Sequence, residues 1–175
     1  MHNVILKKYY FINKFNINNI NKLEKNTIII YRNYEKRKVI SDIINLKKYC
    51  KNKGIKLYIS NNIKLAMKMN VAGAYIPSFN KGFRHLSFTF KKNFKIIGSA
   101  HNIKEMRLKE KQCVEHIFIS SLFKNNKNYL GFNKFNNLKK LTKKKIIALG
   151  GVSKSNLKQV KLLNCSGFSG IRYFE

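Results

Sequence analysis

Eight short apolar runs, rich in isoleucine, phenylalanine and tyrosine, recur along this chain, and Lys/Asn-rich stretches separate most of them. The runs span residues 9–12, 27–32, 56–60, 72–77, 94–99, 116–120, 145–149 and 167–171. Runs without polar alternation are typical of strands that are buried on both faces, as in parallel sheets. Their starts lie roughly 16 to 30 residues apart, about the length of one βα unit. The sequence therefore predicts a closed (β/α)8 TIM barrel, whose functional residues follow the C-terminal strand ends.

The chain has 175 residues, which is short for such a barrel, since about 250 is typical. We therefore expect a single domain over residues 1–175 with trimmed helices. The eighth helix should be missing, because the last run ends only a few residues before Glu175. Without that helix the outer faces of the first and last strands would form an apolar patch, which monomers rarely expose. This predicts either a homodimer through that face or cover from the N-terminal segment with Tyr173 and Phe174.

The stretches between the runs carry helix signals. Apolar spacing predicts helices over residues 16–25, 38–53, 61–70, 103–113, 134–141 and 153–163. Asn102 is expected to cap the fourth of these, with Glu105 three residues later in the manner of a capping box. Ser153 is expected to cap the last one. Segment 81–92 is irregular and predicts a loop with one helical turn.

The formal net charge of +30 at first suggests a nucleic-acid partner. Lys, Asn and Ile, which can be encoded with A and T alone, make up nearly half the chain, so an AT-rich genome accounts for this composition. The basic residues are mostly lysines spread along the predicted helices, whereas specific phosphate and base recognition favours arginine. We expect a solvated basic surface and no specific nucleic-acid partner.

The remaining composition points to a cytoplasmic protein. Cys50, Cys113 and Cys165 lie far apart, which argues against a disulfide framework and a structural zinc site and fits a reducing compartment. No apolar run approaches the ~20 residues of a membrane helix. The apolar start of the chain is too short for a signal peptide.

Six segments at predicted strand ends stand out in order along the chain: 30–32, 57–61, 97–102, 119–123, 148–152 and 167–171. In their order and spacing they resemble the thiamine-phosphate synthase and thiazole tautomerase family. Segment 97–102 (IGSAHN) resembles the family's Ser-x-His segment after strand five, and 119–123 (ISSLF) its Gly-Pro-hydrophobic-Phe turn after strand six. Segment 148–152 (ALGGV) resembles the Ile-Gly-Gly-Ile phosphate loop after strand seven, and 167–171 (GFSGI) the last strand.

The other two segments lie earlier in the chain. Segment 30–32 (IYR) stands where the family has Gln-Leu-Arg, and 57–61 (LYISN) where it has an Ile-Asn-Asp strand end. The resemblance runs from about Tyr9 to the C-terminus, and it rests on the order and spacing of the six segments, since no single motif is specific. It implies a barrel that acts in thiamine biosynthesis.

The departures from the family pattern fall on the diphosphate half of the site. The resemblance implies a synthase in which carboxylates hold Mg²⁺ on the leaving pyrophosphate. Asn61 and Asn80 stand at those two positions, and a neutral amide is a poor replacement for a hard Mg²⁺ ligand. We therefore assign no metal ligand, and expect Mg²⁺ as a cofactor only if synthase activity is retained.

Other diphosphate contacts of the family are also replaced. The pyrophosphate-gripping Gln position holds Ile30, and a family Lys position holds Tyr34, for which Lys36 or Arg37 are candidate substitutes. The Thr-rich loop after strand six reads KNNK at 124–127.

The phosphate half carries the clearest candidate residues. Gly150 and Gly151 end an apolar run, and backbone N–H groups at glycines can approach a phosphate because no Cβ intrudes. Arg172 follows the last strand, across from that loop, where it is either a bidentate phosphate ligand or a solvated terminal charge. A tight turn without a ligand is the other interpretation of the Gly-Gly pair.

His101 is the candidate catalytic residue. It follows strand five, and the resemblance implies proton transfer by a histidine there in the tautomerase branch of the family. The alternative is a helix-start histidine bonded to a nearby carbonyl. Arg32, a rare arginine at the end of strand two, is either a pocket anion ligand or an exposed charge.

Neutral hydrogen-bonding residues are expected around the mouth of the barrel. They are Ser60, Asn61, Ser99 and Ser120. For each of them alone, turn chemistry is a sufficient explanation.

Three functions follow from this pattern. The first is a thiamine-phosphate synthase family protein that binds a thiazole phosphate or thiamine phosphate at the C-terminal face, with synthase activity possible but impaired. The second is a metal-independent thiazole tautomerase that uses His101. The third is a non-catalytic barrel that binds a small phosphorylated ligand or a partner.

Overall fold

A computed structural model of the chain describes residues 5–34 and 39–174 and shows a closed barrel of eight parallel strands. Each strand pairs with the next in chain order, and the first pairs with the last. The strands are β1 (Lys7–Ile12), β2 (Thr27–Tyr31), β3 (Lys56–Ser60), β4 (Gly73–Ile76), β5 (Lys95–Ala100), β6 (His116–Ile119), β7 (Lys145–Leu149) and β8 (Gly167–Ser169). Every predicted run coincides with a strand, so the predicted TIM barrel is confirmed.

The connecting helices are trimmed, as the length of the chain predicts. They are α1 (Ile17–Asn21), α2 (Val39–Lys53), α3 (Ile63–Lys68), α4 (Ile103–Lys111), α5 (Gly131–Lys140), α6 (Leu157–Leu162) and α7 (Ile171–Phe174). The β4–β5 connection holds one 3₁₀ turn, Arg84–Ser87, in the segment predicted as a loop. One helical turn, α7, follows β8, where the sequence predicts no helix.

Helix α7 covers the face that the sequence leaves open. The ring of Phe174 lies 4.8 Å from that of Tyr10 on β1, and Tyr173 lies 4.7 Å from Phe168 on β8. Tyr173 and Phe174 therefore supply the predicted cover. The first four residues of the N-terminal segment lie outside the described residues, and the homodimer stays a prediction.

The two cap predictions have different outcomes. The Asn102 side chain accepts a hydrogen bond from Glu105 N at 3.0 Å, so this cap is confirmed. The Ser153 cap is wrong, because α6 begins at Leu157 and the residues before it form the loop described below. A sequence with Ser153 and Asn156 three residues apart offers two starting points, and the chain uses the later one.

Strand alternation builds the barrel interior in layers. Interior side chains include Tyr9 and Phe11 of β1, Tyr75 of β4 and Phe118 of β6, and their rings meet edge to face at 4.9–5.5 Å. Two further apolar clusters lie between the strands and the helices. This packing makes the interior a filled core and leaves ligand space at the barrel ends. No helix within residues 5–34 and 39–174 is both long and apolar enough to cross a bilayer.

Candidate functional site

A cavity of about 780 Å³ opens at the C-terminal end of the barrel, beside the loops after β6, β7 and β8. Four predicted residues from three separate segments of the sequence line it together: Arg32, Gly150, Gly151 and Arg172. Lys124, from the loop after β6, adds a cation that the sequence analysis did not assign to the site. Lys124 lies four residues after the predicted strand 116–120, and this position could have indicated a site residue.

The two glycines are required by the loop geometry. Gly150 has φ +99° and Gly151 has φ +79°, a region that L side chains rarely adopt. A Cβ on Gly150 would lie 2.4 Å from Ser121 Oγ, and one on Gly151 would lie 2.7 Å from the Lys124 nitrogen. The amides of Phe123 and Lys124 donate to the Gly150 carbonyl at 2.8 and 3.2 Å. The loop after β6 therefore packs directly on the Gly-Gly turn.

Asn156 fixes the far side of the same loop. Its Nδ2 donates to the Gly151 carbonyl at 2.9 Å, and its Oδ1 accepts from Ser153 N at 2.9 Å. One amide side chain thereby holds the turn from both ends. The sequence analysis missed this role.

The charge around the cavity is entirely positive among the described residues that line it. Arg32, Lys124 and Arg172 contribute cations, and no carboxylate lines the space. The Arg32 guanidinium lies 5.0 Å from the centre of the Phe11 ring, a cation–π contact that holds its position. Arg172 is exposed at the start of α7. A cavity with this lining can bind an anion.

The diphosphate positions lie in a different part of the same barrel end. Asn61 follows β3 with φ 57°, and its Oδ1 accepts from Asn80 Nδ2 at 2.7 Å. Asn80 Oδ1 in turn accepts from the amide of Gly82 at 2.9 Å. These two asparagines line a separate hollow of about 320 Å³ rather than the larger cavity.

This asparagine pair does not fit Mg²⁺. Both side-chain oxygens already accept N–H donors, and neither residue carries a charge. Within the described part of the chain, no cluster of three His, Cys, Asp or Glu side chains is placed to hold a metal ion. Lys36 and Arg37, the candidate substitutes for a missing phosphate contact, lie outside the described residues.

A buried polar network supports the Asn80 loop from below. Lys109 Nζ donates to the Asn80 carbonyl at 2.9 Å and to Gln112 Oε1 at 2.8 Å. Gln112 Nε2 donates to the carbonyls of Asn80 and Gly82 at 3.1 and 2.9 Å, and His85 Nε2 lies 2.8 Å from the Gln112 carbonyl. Lys109 and Gln112 are fully buried. The expectation that the lysines form a solvated surface is therefore wrong for Lys109.

Three predicted serines do not line the large cavity. Ser60 is buried, with its Oγ 3.0 Å from the Tyr34 hydroxyl. Ser99 is buried and hydrogen-bonds to Tyr75, which lowers the pKa of that hydroxyl while burial, the larger effect, raises it. Ser120 is partly buried, and its amide donates to the Ala100 carbonyl. All three sit near the C-terminal strand ends and serve the barrel's own hydrogen bonding.

His101 forms a pair with an acidic residue of the helix that follows it, α4. Its Nδ1 lies 2.9 Å from Glu105 Oε2, and the same oxygen accepts from the His101 amide at 2.7 Å. The histidine side chain is 25% exposed. It lies after β5 and does not line the 780 Å³ cavity.

Comparison with known proteins places this geometry in a family. The thiamine monophosphate synthase family model matches residues 17–174. A thiamine-phosphate synthase of Methanococcus vannielii is 32% identical over 77 residues, covering 41% of this chain and 37% of that protein. One of Methanococcus maripaludis is 24% identical over 139 residues, covering 77% of this chain and 65% of that protein.

A solved structure shares the fold. The thiamine phosphate pyrophosphorylase of Pyrococcus furiosus superimposes with a TM-score of 0.77 at 15% identity, covering 94% of this chain and 85% of that one. The chain thus spans most of the solved barrel, but less than two thirds of the length of either Methanococcus protein.

Proposed function

Because the chain belongs to the thiamine monophosphate synthase family, we propose that it binds a thiazole phosphate or thiamine phosphate in the cavity at its C-terminal face. The phosphate lies against the Gly150–Gly151 turn, with Arg172 and Lys124 beside it. One observation carries this proposal: a single cavity of about 780 Å³ joins two backbone-exposing glycines to three cations without a carboxylate. Charge-assisted hydrogen bonds to a phosphate are among the stronger polar contacts.

The arrangement supports binding better than full synthase chemistry. In the coupling reaction the thiazole nitrogen attacks the carbocation-like pyrimidine carbon as pyrophosphate leaves. Arg32 and the basic loop residues can stabilise that leaving anion through their positive field. At the diphosphate positions, Asn61 Oδ1 accepts from Asn80 Nδ2, and Asn80 Oδ1 accepts from the Gly82 amide. We therefore propose an impaired synthase activity.

A thiazole tautomerase is the second candidate, and the His101–Glu105 contact favours it. Glu105 holds Nδ1 of the imidazole at 2.9 Å, which orients the ring and leaves Nε2 as the atom for proton transfer. Since His101 does not line the large cavity, the substrate would have to extend from there toward β5. A barrel that binds thiamine phosphate without turnover is the third candidate.

The location of the ligand phosphate tests the binding proposal. We expect crystals soaked with thiamine phosphate to show its phosphorus within contact distance of the Gly151 backbone and the Arg172 guanidinium. Density for the phosphate at the Asn61–Asn80 side, or no density at all at millimolar ligand, would contradict it. Turnover of thiazole carboxylate phosphate that is lost in His101→Gln and kept in Lys47→Gln, an exposed change on α2, would favour the tautomerase.

We propose that the protein works in the cytoplasm. The cysteines among the described residues are free, with Cys50 and Cys165 buried. Burial raises the pKa of both thiols to about 11, so they stay protonated at neutral pH. Such inert thiols are compatible with a reducing compartment.

A further inference from the structure

The opposite, N-terminal end of the barrel carries a layer of four lysines. Each odd-numbered strand begins with one of them: Lys7, Lys56, Lys95 and Lys145. Two residues further along each of these strands is a side chain of the barrel interior: Tyr9, Tyr58, Ile97 and Ile147. Because side chains alternate along a strand, the lysines share the inward face and form one layer across the barrel mouth.

The lysines of this layer are close enough to repel one another. The pKa of Lys7 is lowered by partial burial and then by the charges of Lys145, Lys56 and Lys95. Among the described residues, one lysine of this layer forms an ion pair: Lys95 Nζ lies 2.6 Å from Glu115 Oε2. His116, at the start of β6, adds no charge at neutral pH, because burial and Lys7 lower its pKa to about 4. The mouth therefore keeps an excess of positive charge.

A pocket of about 600 Å³ opens beside two of these lysines. Lys56 and Lys95 line it, and Lys91 adds a third cation whose Nζ bonds to Asn70 Oδ1 at 2.8 Å. No carboxylate occurs among the described residues that line the pocket. One wall is apolar and includes Tyr58, Met67 and Phe94. The volume lies in the ~300–1,000 Å³ range of small-molecule sites.

We propose that this pocket is a second ligand site, which binds a compound that carries at least two phosphates and a flat apolar group, unlike the cationic monophosphate of the proposed function. The three lysines contact the phosphates, and the flat group lies against the aromatic and apolar wall. Lys7 and Lys145 strengthen the positive potential at the mouth without lining the pocket. The site lies at the other end of the barrel from the cavity of the proposed function, and neither depends on the other.

The first test uses ADP as the probe and the methionine methyl groups as reporters. Met67 lines the pocket, whereas Met106 is buried in the core between strands and helices. With ¹³C-methyl methionine labelling, we expect ADP to shift the Met67 signal to saturation and to leave Met106 unchanged. Saturating thiamine phosphate should not displace ADP. A Met67 signal that stays still at millimolar ADP would overturn the proposal.

Lysine variants distinguish ADP binding at this pocket from nonspecific attraction of ADP to a basic protein. We expect Lys56→Gln/Lys91→Gln to weaken ADP binding at least tenfold, since both side chains are exposed at the pocket and their loss leaves the Lys95–Glu115 pair intact. The matched control, Lys47→Gln/Lys51→Gln, removes the same charge from the exposed face of α2 and should change affinity less than twofold. Equal losses in both variants would overturn the proposal.

Inorganic pyrophosphate tests the apolar wall. It carries the phosphates of ADP without the flat group, so we expect it to bind at least tenfold more weakly and to shift Met67 less. Pyrophosphate that binds as tightly as ADP would overturn the assignment of the wall to a flat apolar group. The Met67 titrations on the wild-type protein decide the existence of the site even if a variant fails to fold.

Discussion

The loops after β7 and β8 and the loops after β3 and β4 lie at the same end of the barrel, yet they place different groups around it. On the first side, Gly150 and Gly151 present backbone to an open cavity that also holds Arg172. On the second side, the Asn61 and Asn80 amides bond to each other at 2.7 Å. The first side thus joins glycine backbone and cations at one open cavity, whereas the second side joins two neutral amides to each other.

The two sides also differ in what holds them in place. The Gly-Gly turn is held by backbone donors from the loop after β6 and by one surface amide, Asn156. The Asn80 loop rests on a buried cation, Lys109, and on Gln112. Buried polar groups that are fully hydrogen-bonded rigidify their surroundings. The Asn80 loop is thus held by buried side chains, whereas the Gly-Gly turn is held mainly by backbone donors of a neighbouring loop.

The largest expected effect concerns metal-dependent turnover. Mg²⁺ contributes several kcal/mol to phosphate leaving-group chemistry, roughly a 10³-fold rate effect. Since the asparagine pair offers the metal no carboxylate, we expect wild-type coupling of the pyrimidine pyrophosphate with thiazole phosphate to be insensitive to Mg²⁺. It should be slower by about that factor than coupling by a synthase with carboxylates at both positions. A steady-state assay of thiamine phosphate formation with and without Mg²⁺ measures this.

The matched variants sharpen the same test. Asn61→Asp/Asn80→Asp restores two carboxylates and should gain a Mg²⁺-dependent rate, while Asn133→Asp/Asn137→Asp adds the same charge on the exposed face of α5 and should not. Robust Mg²⁺-dependent turnover by the wild type would break the comparison between the two sides.

Next in size is the loss of a phosphate contact. Arg172→Ala should weaken thiamine phosphate binding by about 1.5–3 kcal/mol, because a hydrogen bond between charged groups is removed. Isothermal titration calorimetry measures the change. Arg107→Ala serves as the control, since Arg107 pairs with Glu110 on α4, away from the cavity. Equal affinities for wild type and Arg172→Ala would remove this residue from the site.

The buried cation on the other side predicts a pH dependence of stability. Burial lowers the pKa of Lys109 to about 8, and Glu105 partly offsets this. An unfolded lysine has a pKa near 10.4, so between about pH 8 and 10 the unfolded state binds more protons and stability rises with pH. We expect the unfolding free energy of wild type relative to Lys109→Met to increase by about 2 kcal/mol over that interval.

Urea unfolding at several pH values provides this measurement. The exposed Lys111→Met variant, on the same helix, should show no such slope relative to wild type. A flat difference between wild type and Lys109→Met would mean that the Lys109 ammonium is solvated in the folded protein.

The smallest expected effect is on the loop that shapes the cavity. Asn156→Ala removes the hydrogen bonds to Gly151 and Ser153, each worth about 1 kcal/mol or less at a part-buried position. Thiamine phosphate should bind roughly three- to tenfold more weakly, because the turn must be ordered on binding. Asn45→Ala, an exposed change on α2, is the calorimetric control. An unchanged affinity would show that the loop after β6 alone fixes the turn.

The barrel could be predicted from the sequence because parallel strands are buried on both faces and therefore form continuous apolar runs. Segment 145–149 reads KIIAL and forms β7 over that very range, since little in an apolar run competes with strand pairing. The start of α6 was less predictable, because Ser153 and Asn156 both suit an N-cap and only the folded loop shows that Asn156 turns back to Gly151.

Contacts between residues that lie far apart in the sequence limited how much of the site could be predicted. Arg32, Gly150, Gly151 and Arg172 meet at one cavity because each lies within three residues of the C-terminal end of a strand of the same barrel. The pairing of Ser99 with Tyr75 depends on an aromatic side chain from another strand, which no local pattern reveals. Burial of Lys109 likewise follows from carbonyls that lie far away in the sequence.

The proposed function requires that the cavity at Gly150 and Gly151 bind its ligand without a metal at Asn61 and Asn80. Calorimetric titration of the wild-type protein with thiamine phosphate, in EDTA and in millimolar Mg²⁺, tests it most directly. We expect one thiamine phosphate site per chain, with affinities that agree within twofold under the two conditions. Binding that appears only with Mg²⁺, or no binding under either condition, would contradict it.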